Sequence, residues 1–104
     1  MDAGKGTYRV VVWDQDEYLK EYMALPPNQQ ARVADLYNNH LPYRPAEMKP
    51  PWLKRLKGTQ SHLRQFDCGG GKRLHYVIDE EAKEVRIVGL GKHLEWDKKN
   101  KVGG

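Results

Sequence analysis

The 104-residue chain predicts a single α+β domain: an N-terminal strand, a helical hairpin, then a three-stranded antiparallel meander. Three observations predict it. First, Tyr8-Arg9-Val10-Val11-Val12-Trp13 and the runs beginning at Lys72 and Val85 have the β-branched and aromatic composition of strands. Second, apolar residues between Tyr18 and Leu41 recur at helical spacing. Third, Gly69-Gly70-Gly71 and Asp79-Glu80-Glu81-Ala82-Lys83 are turns set between the last strands. Helices packed on one face of a sheet are the natural solution for this order.

The elements follow in sequence. Residues 1–6 carry two glycines and no pattern and read as a flexible tail, as do residues 98–104; the domain spans 1–104. After the first strand, Asp14 or Asp16 can cap a short helix whose apolar stripe is Tyr18, Leu19, Tyr22 and Met23. Pro26-Pro27 ends it. Asn28 is the expected cap of a second helix running to His40, with Val33, Leu36, Tyr37 and Leu41 on its buried side. Four of the six prolines (Pro42, Pro45, Pro50, Pro51) then give an extended connection, held down by Tyr43, Met48 and Trp52. A strand around Leu63 to Phe66 opens the meander. In the strand from Lys72, Leu74, Tyr76 and Ile78 share a core face, and Arg73, His75 and Val77 share the other. The strand from Val85, interrupted only by Arg86, belongs inside the sheet. Tyr8, Tyr18, Tyr22, Tyr37 and Trp13 read as core, and Arg86 as the partner of an acid such as Glu84.

Composition bounds the function. Hydrophobic residues make up 38% and charged residues 31%, which fits a soluble globular protein. No apolar run reaches membrane-spanning length and no signal peptide opens the chain, so the expectation is a cytoplasmic protein with no membrane partner. One cysteine, Cys68, excludes an internal disulfide and a zinc site built on several cysteines; no metal and no cofactor are expected. The net charge of +4 is unevenly placed. Residues 1–48 hold 5 basic and 7 acidic side chains, and residues 74–104 hold 6 of each. Residues 49–73 hold Lys49, Lys54, Arg55, Lys57, Arg64, Lys72 and Arg73 against Asp67 alone, 7 against 1. Such a block points to a partner rich in phosphate or carboxylate. With His75 and Lys92, the residues Lys49, Lys54, Arg55 and Lys72 form the candidate binding set for such a partner. Gly69-Gly70-Gly71-Lys72 is not a phosphate-binding P-loop, because Arg73 stands where Ser or Thr is required.

Four short signatures occur in order: Leu56-Lys57-Gly58, Leu63-Arg64, Lys72-Arg73-Leu74-His75-Tyr76 and Gly91-Lys92-His93-Leu94-Glu95-Trp96. On these residues, and on element order over nearly the whole chain, the sequence resembles the RelE/ParE toxin superfamily of bacterial toxin–antitoxin systems. The resemblance implies a RelE-like fold and a metal-independent endoribonuclease that cuts messenger RNA on the ribosome. It also implies a cognate antitoxin as partner. Arg73 matches the family's strand arginine that contacts the scissile phosphate, and Lys57 and Arg64 match basic positions along the same groove. His93 falls where one subgroup has a catalytic histidine and another an arginine. Trp96 falls near a closing aromatic that is commonly tyrosine or phenylalanine. The family offers two other readings: a ParE-like inhibitor of gyrase, and an RNA-binding module that cleaves nothing.

The chemistry sets its own demands. Metal-free cleavage uses the 2′-hydroxyl as nucleophile, so it needs a base, an acid and cations at the phosphorane. Histidine suits proton transfer near neutrality, and arginine meets phosphate oxygens bidentately. Arg73, His93, Arg64 and Lys57 therefore form the candidate catalytic set. The second proton transfer is open between His75, on the Arg73 face, and His62, just before Arg64.

Overall fold

The computed structural model describes residues 7–60 and 62–91. Strand β1 (Arg9–Val12) leads into helix α1 (Gln15–Ala24) and helix α2 (Pro27–Asp35), which continues without a break as a π turn (Leu36–His40). Then come β2 (Leu53–Arg55), a 3-10 turn (Gly58–Gln60), β3 (Arg64–Gly69), β4 (Lys72–Asp79) and β5 (Glu84–Gly91). The strands form one sheet in the order β1-β5-β4-β3-β2. Strand β1 lies parallel to β5, and every other neighbouring pair is antiparallel. This is the α+β arrangement read from the sequence, with one strand more.

The extra strand is β2. Three residues after a run of prolines carry too little pattern to show in sequence. What holds them is pairing with β3, Leu53 opposite Phe66 and Lys54 opposite Gln65, and a turn in which Lys49 and Leu53 exchange both backbone hydrogen bonds at 2.9 Å. Strand β3 begins at Arg64 and runs on to Gly69, so Cys68 and Gly69 belong to the strand rather than to the turn. Gly69, Gly70 and Gly71 take φ of 102°, 62° and 81°. Gly70 is also bare for space, since a Cβ there would meet Gln29 Nε2 of α2 at 2.8 Å.

Each helix end has its cause. Asp14 is the cap of α1, its Oδ1 accepting the Glu17 N–H at 3.1 Å. Helix α2 starts at Pro27 behind Pro26, with no side-chain cap, so Asn28 is not the capping residue. Proline fits there because the first N–H groups of a helix have no internal partner. The π turn closes with Leu41 N–H donating to Leu36 O at 2.9 Å, one residue beyond the α spacing.

The core lies between α2 and the sheet. Val33, Leu36 and Leu41 from the helical arm meet Leu53, Phe66, Leu74, Tyr76, Val85, Ile87 and Leu90 from the strands. Burying each such aliphatic side chain contributes roughly 1.5–3 kcal/mol. In β5 a bulge makes this possible: His75 faces Gly89 while Tyr76 faces Ile87, so one extra residue lets both Ile87 and Leu90 point inward. Tyr76 donates its hydroxyl to Pro45 O at 2.6 Å, tying the proline-rich connection to the middle of the sheet.

Two expectations about the core fail. Trp13 is 71% exposed: it follows β1 at the edge of the sheet, and no element among the described residues covers it. The apolar stripe of α1 divides: Tyr18 and Tyr22 pack inward, while Leu19 and Met23 face outward. Met48 packs on the core as expected, whereas Tyr43 and Trp52 stay exposed.

Candidate functional site

The face of the sheet opposite the helices carries the polar rows. Alternation from the buried Leu53, Phe66 and Leu74 sends Lys54, Gln65 and His75 to this outer face, where the register sets them side by side with Gly89 of β5. The next row toward the β3–β4 turn is Asp67, Arg73 and Gly91. The row on the other side is Val77, Arg86 and Val11. Arg73 and His75 therefore share a face on adjacent rows, about 7 Å apart along β4.

Their surroundings differ. His75 is only 5% exposed, and its Nε2 lies 3.0 Å from Gln65 Oε1. With the amide oxygen accepting, that contact keeps the ring proton on Nε2 and fixes the ring's plane. Arg73 is half-buried, and no carboxylate among the described residues pairs with it. Asp67, its register partner, uses Oδ1 to accept the Gly69 N–H at 2.9 Å. The paired cations lie elsewhere. Glu84 holds Arg9 at 2.7 Å and Arg86 at 2.6 Å, and Glu80 holds Lys83 at 3.2 Å. Hydrogen bonds from Arg9 and then Arg86 keep the Glu84 carboxyl below the usual range for glutamate. Arg86 is thus the partner of Glu84, as its sequence neighbourhood suggested.

The other candidate residues scatter around this face. Lys54 is exposed in the His75 row. Lys57 is exposed where the chain leaves β2, and Lys49 is exposed in the turn before it. Lys72 opens β4 opposite Gly69. Arg64 stands opposite Tyr76 and Arg55, so the register places it on the helix side rather than in the rows of Arg73 and His75. Its Nη1 donates to His62 O at 3.3 Å, and its Nε is buried without a partner among the described residues. Arg64 and Arg73 therefore do not line one face of the sheet. Lys92, His93 and Trp96 lie outside the described residues.

Several groups are unsuited to chemistry. Burial pushes the Cys68 thiol up to about 11, with Arg32 pulling the other way. The Tyr76 hydroxyl is raised far above the ordinary phenol range by the same cause, against Arg64. Among the described residues no three His, Cys, Asp or Glu side chains gather as a metal-holding group, and no helix is long and apolar enough to cross a membrane. Gln65 and Arg32 escaped the sequence reading. Alternation could have found Gln65, but Arg64 and Gln65 are both polar and blur the period. Nothing local marks Arg32, whose role comes from tertiary contacts with Trp52 and Asp67.

A five-stranded sheet with helices on one face and a cationic outer rim defines a single-domain class of small α+β proteins. No protein-family model and no curated protein matches the sequence. Solved structures do. The archaeal RelE-RelB complex from Pyrococcus horikoshii OT3 aligns with a TM-score of 0.64 at 25% identity, covering 83% of this chain and 94% of that one. The toxin–antitoxin complex RelBE2 from Mycobacterium tuberculosis gives 0.61 at 23% identity, covering 84% and 99%. The isolated E. coli RelE toxin gives 0.58 at 18% identity, covering 92% and 97%. The chain has the RelE-like fold of the RelE/ParE toxin superfamily, as the sequence signatures implied.

Proposed function

We propose that this protein is the toxin of a toxin–antitoxin pair and that it cuts messenger RNA on the ribosome, acting in the cytoplasm. The observation that carries the reading is Arg73. It stands beside His75 on the outer face, one row from the row that ends in exposed Lys54, with no carboxylate among the described residues to neutralise it. An arginine kept without a counter-ion at a strand end is suited to the charge that develops on a phosphorane. Arg73 stabilises the scissile phosphate, and His93 transfers a proton. Gly91, two positions before His93 in sequence, is the register partner of Arg73. Lys57, Lys54, Lys49, Arg55, Lys72 and Lys92 draw the RNA backbone toward the site. The antitoxin is a protein with an acidic segment that folds against the cationic rim. That solved neighbours are toxin–antitoxin complexes supports this partner.

The test is cleavage of a defined message on programmed ribosomes by the purified chain. The expected products end in a 2′,3′-cyclic phosphate and begin with a 5′-hydroxyl. A protein that arrests growth on expression yet leaves ribosome-bound message intact would replace this reading with the gyrase one.

A further inference from the structure

We propose that the ring of Trp52, with one face resting on Arg32, stacks one unpaired base of single-stranded RNA on its other face, at a subsite separate from the Arg73 row. The inference rests on the RNA-cutting reading above and adds a contact that holds substrate away from the cut.

The ring of Trp52 turns back over the β2 edge toward the helices. Its face lies over the Arg32 guanidinium, with the central carbon 4.1 Å from the ring centroid. Arg32 is itself fixed: Nη2 donates to Asp67 O at 2.8 Å, and the Phe66 ring lies 5.6 Å away. The backbone of Trp52 is fixed as well, its carbonyl accepting the Asp67 N–H at 2.8 Å. The indole is therefore held in one plane from below, yet Trp52 is 49% exposed. One face rests on the guanidinium, so a stacking partner is assigned to the opposite face. A lone exposed aromatic needs no explanation. An indole clamped flat by a cation, with exposed lysines beside it, is a platform.

A recess of about 370 Å³ lies on the Arg32 side of the ring, lined by Leu36, Leu53 and Phe66 with Arg32, Lys49 and the acid Asp35, so the base is assigned to the other face. The edge next to the ring is cationic. Lys49, Lys54 and Lys57 are exposed, and none pairs with a carboxylate among the described residues. A stacking surface flanked by unneutralised lysines matches a nucleotide, base on the ring and phosphates on the cations. An acidic peptide would use the lysines but has no need of the indole face. Two strand spacings, about 10 Å, separate β2 from β4. The same strand could thus run from Arg73 past Lys54 and round the β2 edge to Trp52.

The experiment measures binding without cutting. The full chain is titrated against a labelled single-stranded RNA whose 2′-hydroxyls are methylated, and against copies with one base removed at each position. Trp52→Ala should weaken binding about tenfold, in line with the loss of one stacked base, while Trp52→Phe keeps most of the affinity. At one position, removing the base should cost the wild-type protein a similar factor and cost Trp52→Ala nothing. Should Trp52→Ala lower the melting temperature, Trp52→Leu takes its place, capping Arg32 without a stacking ring. Equal binding by the wild type and a folded Trp52 variant overturns the subsite. So does failure of the wild type to bind, or a Trp52 variant that loses only antitoxin capture. Because the oligonucleotide cannot be cut, the cleavage reading is judged separately. Trp52-dependent binding with no cleavage of ribosomal message leaves the subsite standing without it.

Discussion

Asp67 stands directly across the β3–β4 ladder from Arg73, yet its Oδ1 accepts the Gly69 N–H at 2.9 Å and no ion pair joins the two side chains. The one acid in the basic block between residues 49 and 73 is occupied by the turn. Among the described residues the Arg73 guanidinium has no carboxylate partner.

Arg73→Ala should therefore slow cleavage of ribosome-bound message by about 100-fold or more, the usual loss of a charge stabiliser, with the fold and ribosome binding kept. His93→Ala should cost a similar factor and flatten the pH–rate profile near neutrality, where arginine does not titrate. Single-turnover cleavage with each variant measures both. Two variants cutting at the wild-type rate would remove the assignment.

Reversing Lys54 and Lys57 to Glu should weaken RNA binding without unfolding the domain, since both side chains are exposed and such charges add little to stability. Wild-type affinity should fall steeply with salt as counterions are released, and the double reversal should flatten that slope. Titrations over a range of potassium chloride concentrations check it. An unchanged slope would mean the lysines meet no phosphate.

Tyr76→Phe should cost roughly 1–3 kcal/mol, because it leaves the buried Pro45 carbonyl without its 2.6 Å partner. Thermal unfolding would show a drop of about 5 °C or more for a domain of this size. A variant as stable as the parent would mean another donor reaches Pro45.

His40 gives a pH prediction. Burial pulls its pKa below 6.5, and Lys49 and Arg44 act the same way, against the hydrogen bond to Glu47 O at 3.1 Å and the Glu47 charge. In the unfolded chain His40 takes its proton near the ordinary value; in the folded one it does so only at lower pH. The unfolded state thus binds more protons in that window, and stability falls as pH drops from about 6.5 toward the folded value. His40→Gln keeps a donor toward Glu47 and should remove this part of the slope. Urea midpoints at neutral and mildly acid pH decide it; equal slopes for parent and variant would contradict the account.

Much of this was legible in the residues. The alternation of Leu74, Tyr76 and Ile78 against Arg73, His75 and Val77 is the face division observed along β4. The helical spacing of Val33, Leu36 and Leu41 marked their buried side. What escaped is what only tertiary contact decides. Strand β2 is too short for a period and owes its place to β3. Asp14 and Asp16 are chemically alike, and only geometry chose Asp14. The five-stranded register put Arg64 on the helix side, a consequence of where β3 begins that no local pattern announces. The pairing of Arg86 with Glu84 was readable because the partners are two residues apart on one strand.

The parallel pairing of β1 with β5 has a consequence in time. Arg9 and Glu84 are 75 positions apart and are joined both by the ladder and by an ion pair at 2.7 Å. During synthesis, β1 emerges first and waits, its apolar Val10 and Val12 unpaired, until the last strand has been made. The hairpins of β3, β4 and β5 close locally and early, whereas the N-terminal edge closes last and slowly, as such distant pairings do. A newborn chain should therefore display its cationic meander before the sheet is complete. Pulse proteolysis of stalled nascent chains, shortened by β5, should find the first strand cleavable until β5 is released.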